Sequence, residues 1–173
     1  IDNMCILSIM RRGGMAMEHV PAEFAADSGN LPEIAGGVLA TARIWTSDGI
    51  AEGYFHPSGD PGAKKPYCGL DGLLLGLEEL AETQGRPRRE KLRCIPGVRR
   101  KPYRPAYWPD DRPGYTVSVR ICFRQHCSMQ GELCLQGGQK VRFRSALELL
   151  FLLRQVAEQL EEKEEIGKKI PNT

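Results

Sequence analysis

The stretch FRSALELLFLLRQVAE, Phe143 to Glu158, is the segment from which the fold can be read outward. Ser145 and Glu148 form an S-x-x-E capping box, which satisfies the first free backbone N–H groups of a helix. Leu149, Leu150, Leu153, Val156 and Leu160 then recur at helical spacing, and Leu147, Phe151 and Leu152 widen the stripe. That apolar width exceeds what one sheet face needs, which leaves helix surface for another module. Ahead of the helix, YTVSVRICF (Tyr115 to Phe123) alternates as a strand, with Val117, Val119, Ile121 and Phe123 expected on one face. Arg124 to Ser128 reads as a polar turn. MQGELCL (Met129 to Leu135) is a second strand with Leu133 and Leu135 inward. QGGQ (Gln136 to Gln139) is a hairpin turn whose glycines are free to take positive φ, and Lys140 to Phe143 is a short third strand. The unit is ββ(β)α.

A weaker echo precedes it in YCGLDGLLLGLEELAE, Tyr67 to Glu82. Leu73, Leu74, Leu77, Ala81 and Glu82 match Leu149, Leu150, Leu153, Ala157 and Glu158. Upstream, Arg43-Ile44 matches Arg120-Ile121, and Gly53 matches Gly131. The three correspondences fall at offsets of 77, 78 and 76 residues, in the same order, which points to duplication rather than chance similarity of two leucine-rich helices. In the first copy HPSGDPGAKKP (His56 to Pro66) replaces the compact hairpin turn. Gly69, Gly72 and Gly76 weaken its helix by about 1 kcal/mol each relative to alanine and admit close approach of another backbone. A lone unit of this size buries too little to be stable. The expected fold is therefore α+β, with two tandem ββ(β)α repeats packed as a pseudo-two-fold pair. Residues 1–37 form a weakly structured arm, 38–85 the first ββα repeat, 86–114 a basic Pro/Arg-rich connection, 115–165 the second repeat and 166–173 a tail. The segment from Glu161 onward reads as a fraying, charged helix end.

The net charge of +2 conceals a strong asymmetry. Residues 1–85 hold 5 Lys/Arg against 12 Asp/Glu, residues 86–104 hold 9 against 1, and residues 105–173 hold 10 against 9. An acidic half and a basic strap imply charged partners, or a strap lying on its own acidic half. No apolar run reaches the roughly 20 residues of a membrane span, and IDNMCILSIMRRGG has the reverse order of a secretory signal. The six cysteines, Cys5, Cys68, Cys94, Cys122, Cys127 and Cys134, are scattered and read as reduced thiols of a cytoplasmic protein.

No chemistry is announced. Cys122, His126, Cys127 and Cys134 lack a C-x2-C knuckle, so no metal site is expected. Cysteine paired with His19, His56 or His126 lacks any recognisable nucleophile context. Glu78/Glu79 and Asp110/Asp111 read as a solvated helix face and a turn. There is no phosphate-cradling glycine loop. No catalytic residue and no cofactor are expected.

The strap GRPRREKLRCIPGVRRKPYRPAYW carries the functional signal. Arg86, Arg88, Arg89, Lys91, Arg93, Arg99, Arg100, Lys101 and Arg104, with Tyr103, Tyr107 and Trp108, are the expected partner-binding residues. Guanidinium groups fork onto phosphates or carboxylates, and aromatics offer stacking platforms. The plainer reading is a solvated linker.

The second half resembles small uncharacterised proteins of gut Firmicutes and their mobile elements, which carry R-Q-N-x-x-x-Q-G followed by F-R-S-x-L-E-L. The matching residues are Arg124, Gln125, Gln130, Gly131, Phe143, Arg144, Ser145, Leu147, Glu148 and Leu149, with His126 in place of the usual Asn and Met129 where an aromatic is common. The resemblance implies a phage or mobile-element setting. By analogy it implies a non-catalytic, anti-CRISPR-like inhibitor that docks on a CRISPR nuclease with its guide RNA. A free-standing DNA- or RNA-binding module is the alternative, disfavoured by an isoelectric point near 8.3 and the acidic first half.

Overall fold

The computed structural model describes residues 37–90, 95–99, 101–110, 112 and 114–169, with side chains as far as 162. The sequence alternation of the first half becomes β1 (Val38–Ser47), β2 (Ile50–Pro57) and β3 (Lys65–Cys68), followed by helix α1 (Leu70–Thr83). The second half gives β4 (Tyr115–Phe123), a 3-10 turn (Gln125–Cys127), β5 (Gln130–Leu135), β6 (Lys140–Phe143) and helix α2 (Ala146–Lys169). The fold is α+β. All six strands join one antiparallel sheet in the order β3-β2-β1-β4-β5-β6. The two halves meet where β1 pairs with β4, Val38 opposite Ile121 and Ala42 opposite Val117.

One sheet face carries the core. Ala40, Ala42, Ile44, Val117, Val119 and Ile121 are all within 1 % of complete burial, as are Leu73, Leu77, Leu149 and Leu153 from the helices. These residues belong to a single apolar cluster. Alternation places them there because successive strand side chains point to opposite faces. Small alanines on the central β1 leave room for the helix leucines above them. Among the described residues no helix is long and apolar enough to cross a membrane.

Several expectations need correction. The first half contains a third strand, β3, inside the segment read as turn and helix start; Tyr67 pairs with Gly53 and is fully buried. Phe123 does not continue the inward face of β4. The register shifts between Ile121 and Phe123, so Cys122 is buried and Phe123 is 38 % exposed. The bulge costs one step of alternation and turns the strand toward Arg124. Ser145 caps α2 as expected, accepting from the Glu148 N–H at 3.1 Å, but the Glu148 carboxylate reaches the Arg144 N–H, one residue earlier than a capping box requires. The glycines of α1 admit side chains rather than backbone: a Cβ at Gly72 would collide with the Tyr103 phenol, and one at Gly76 with the Phe55 ring. Helix α2 runs on to Lys169, past the end set for the second unit. Of the arm expected over residues 1–37, residues 1–36 lie outside the described residues.

Candidate functional site

The strap is fastened to the protein at two places. Its first fastening is an ion cluster made by residues far apart in sequence. Arg124, 3 % exposed at the end of the β4 bulge, donates from Nη2 to Glu78 Oε1 at 2.5 Å and Glu82 Oε2 at 2.8 Å on α1. Its Nη1 donates to the Pro87 carbonyl at 3.3 Å. Arg89 of the strap closes the same cluster, Nη1 on Glu78 Oε1 at 2.6 Å and Nε on Glu82 Oε2 at 3.0 Å. Arg89 and Arg124 also form a parallel backbone bridge. Two carboxylates one helical turn apart thus hold two guanidinium groups, a geometry that shares each charge among several hydrogen bonds. Glu78, read from sequence as part of a solvated helix face, is only 17 % exposed.

Glu82 titrates below the usual carboxylate range, chiefly through its hydrogen bond from Arg124; burial opposes this, and the charges of Arg89 and Arg124 add to the lowering. Because the folded value is lowered, the stabilisation is present above the unfolded value of about 4.3 and is lost as pH falls through the folded one. Glu82→Gln is expected to flatten the acid limb of the urea midpoint against pH; an unchanged limb would remove Glu82 from the cluster.

The second fastening crosses the sheet face opposite the core. Trp45 and Glu52 stand opposite each other on β1 and β2, and Trp45 Nε1 donates to Glu52 Oε1 at 3.0 Å. The Tyr107 hydroxyl donates to the other oxygen of Glu52, and the Tyr54 hydroxyl donates to the Pro109 carbonyl. Tyr103 anchors the edge of the sheet: its hydroxyl accepts from the Cys68 N–H at 3.1 Å and donates to the Cys68 carbonyl at 3.3 Å. Its ring fills the space left by Gly72. The hydrogen bond to Glu52, followed by burial, pushes the Tyr107 phenol well above its usual range. Pro66 in β3 and Tyr103 beside it together close this edge of the sheet, since proline offers no donor.

Between and beyond these fastenings the charges face outward. Arg86, Arg88, Arg99, Lys101 and Arg104 are exposed, and so is Trp108, at 73 %. Among the described residues none of those five cations has an ion pair. Lys91, Arg93 and Arg100 lie outside the described residues. Of the twelve residues expected to bind a partner, Arg89, Tyr103 and Tyr107 hold the strap in place. Arg124, Glu78, Glu82, Glu52, Trp45 and Tyr54 are the residues that fasten the strap and that sequence reasoning missed. The Trp45/Glu52 pairing across the first hairpin was the only local signal available.

Of the described cysteines, Cys68 belongs to the second fastening, its backbone holding Tyr103 and its thiol donating to the Tyr107 carbonyl at 3.5 Å. Among the described residues Cys68, Cys122, Cys127 and Cys134 form no disulfide. Burial first, with Glu132 adding to it, pushes the thiols of Cys122 and Cys134 up, so neither is held as a reactive thiolate. His126 and Cys127 occupy consecutive left-handed conformations, φ 51° and 58°, a region in which histidine, like asparagine, is enriched over most non-glycine residues. Among the described residues no three His, Cys, Asp or Glu side chains gather to hold a metal. Compared with protein families, curated proteins and solved structures, the chain matches none.

Proposed function

We propose that the chain is a non-catalytic, cytoplasmic binding protein that docks on a nucleic-acid-processing complex, as an inhibitor of a guide-loaded CRISPR nuclease would. The observation that carries this reading is the strap's division of labour. One arginine and two tyrosines bind it to the sheet and α1, while Arg86, Arg88, Arg99, Lys101 and Arg104 remain outward and without ion pairs among the described residues. A linker merely neutralised by its own acidic half would spend more of these cations internally. Asp48, Asp60 and Asp71 are exposed on the first half, and such an acidic surface suits a basic protein groove better than a phosphate chain. A chain of both signs thereby fits a complex of protein and nucleic acid.

We further propose that the two halves descend from one duplicated ββ(β)α unit related by approximate two-fold symmetry. Support comes from the matched sequence positions and from their environments. Ile44 faces Gly53 as Ile121 faces Gly131, and Tyr67 pairs with Gly53 as Phe143 pairs with Gly131. Leu73, Leu77, Leu149 and Leu153 are all fully buried.

The test is a salt titration of binding by the purified protein to free DNA, free RNA and a guide-loaded nuclease. Binding far tighter to the assembled complex than to bare nucleic acid at physiological salt supports the reading. Tight, steeply salt-dependent binding to bare nucleic acid supports the alternative of a free-standing module. Neutralising Arg88, Arg99, Lys101 and Arg104 to Gln is expected to weaken binding more than a hundredfold, at roughly 1.5–3 kcal/mol per charged contact. The same changes should move stability by less than about 0.5 kcal/mol each. Arg89 is excluded from the set because it belongs to the ion cluster. Undiminished binding by this variant would return the strap to a solvated linker.

A further inference from the structure

We propose that the Ile95–Val98 turn is an apolar wedge, presented by the strap to the minor groove of a DNA duplex while Arg99, Lys101 and Arg104 hold the flanking phosphates. This deepens, and rests on, the reading of the strap as the part that meets nucleic acid.

The local structure comes from four residues, Ile-Pro-Gly-Val. The Val98 N–H donates to the Ile95 carbonyl at 3.1 Å, with Pro96 and Gly97 in the central positions and Gly97 at φ 78°. That is the arrangement of a type II turn: proline presets the first central φ, and glycine takes the positive one without a Cβ penalty. The turn is therefore stiff for its size. It presents two apolar side chains, Ile95 at 73 % and Val98 at 59 % exposed, that contribute nothing to the core cluster. The strap is fastened on either side of the turn, at Arg89 and at Tyr103.

The charge of the sequence flanking the tip decides what it fits. Residues 91–109 contain six Lys/Arg and no Asp or Glu. An apolar protein pocket would accept isoleucine and valine but would give no reason for so one-sided a flank. A duplex uses both features. Cations neutralise phosphates along the backbone, and apolar wedges of Ile or Pro enter between base steps from the minor groove and kink them. Pyrimidine–purine steps yield most readily to such a wedge.

The experiment uses the full chain and a short DNA duplex carrying 2-aminopurine beside a TA step, at low salt. The wild type is expected to raise the 2-aminopurine emission as the step unstacks. The double variant Ile95→Ser/Val98→Ser should lose that signal and bind about tenfold more weakly, yet keep the salt dependence. The triple variant Arg99→Gln/Lys101→Gln/Arg104→Gln should reduce the log–log salt slope by about 2.7, three phosphates at about 0.9 each. Circular dichroism of both variants should match the wild type. Duplex binding without an emission change, or a serine variant indistinguishable from the wild type, overturns the wedge while leaving the charged strap as the binding element. No duplex binding, with the serine variant weakened only toward a nuclease complex, overturns it in favour of a protein pocket. If neither variant alters binding to any partner, the strap's assigned function falls with the wedge.

Discussion

Gly131→Ala is expected to destabilise the protein by more than about 3 kcal/mol, enough to leave it largely unfolded at room temperature if its reserve is small. A Cβ at this position would collide with the Arg120 carbonyl oxygen on β4, and would stand 2.9 Å from the Arg120 carbonyl carbon and 3.1 Å from the Phe143 ring. Neighbouring backbone cannot swing aside as a flexible side chain can. Relief requires β4 and β5 to part where Ile121 faces Gly131. Gly53→Ala meets the same obstacle between β1 and β2: the Arg43 carbonyl blocks the Cβ, and the Tyr67 hydroxyl oxygen lies 2.9 Å away. That hydroxyl donates to the Arg43 carbonyl at 3.0 Å, so the intrusion also threatens a hydrogen bond. Gly137→Ala, in the open β5–β6 hairpin with nothing within 4 Å of its Cβ, serves as the control. Urea unfolding midpoints should fall together for Gly131→Ala and Gly53→Ala and stay near wild type for Gly137→Ala. Comparable losses at the two strand glycines would also support duplication. A Gly131→Ala protein as stable as the wild type would refute the β4–β5 register.

Glu78→Ala is expected to cost about 3 kcal/mol, because it leaves the Arg124 guanidinium buried with a depleted set of acceptors. Glu82 and the Pro87 carbonyl remain, but Glu82 is 53 % exposed and its contribution is screened by solvent. Arg124→Met should cost less, since Glu78 keeps Arg89 and the methionine can fill the vacated space. The double variant should be more stable than Glu78→Ala alone, as expected when the penalty belongs to the uncompensated charge rather than to a lost attraction. Glu79→Ala, next in sequence but outside the cluster, should change stability by less than about 0.5 kcal/mol. Limited proteolysis offers a second readout. Losing Glu78 also weakens the hold on Arg89, leaving it the half-exposed Glu82, so cleavage within the strap should accelerate in Glu78→Ala and not in Glu79→Ala. Equal stability of Glu78→Ala and wild type would mean the ion cluster does not form.

Local order was legible in the sequence wherever one residue type could satisfy a periodic pattern. The stripe Leu149, Leu153, Val156 defined α2, the alternation Val117, Val119, Ile121 defined the inward face of β4, and Ser145 marked the helix start. These depend on neighbours within a few residues, and spacing alone carries them. Tertiary structure decided the rest. β3 went unread because Pro66 and a four-residue length give a weak strand signal; its place follows from Tyr67 pairing with Gly53. Arg124 looked like a turn residue until the bulge at Cys122 turned the chain toward α1, 42 residues from Glu82 in sequence. The strap was visible as charge, but which of its residues grip the protein and which face away was not. Arg89 and Arg88 are chemically alike, and only the position of two glutamates on a distant helix separates them. A carboxylate within hydrogen-bond reach makes one arginine an anchor, and its absence among the described residues leaves the other facing solvent.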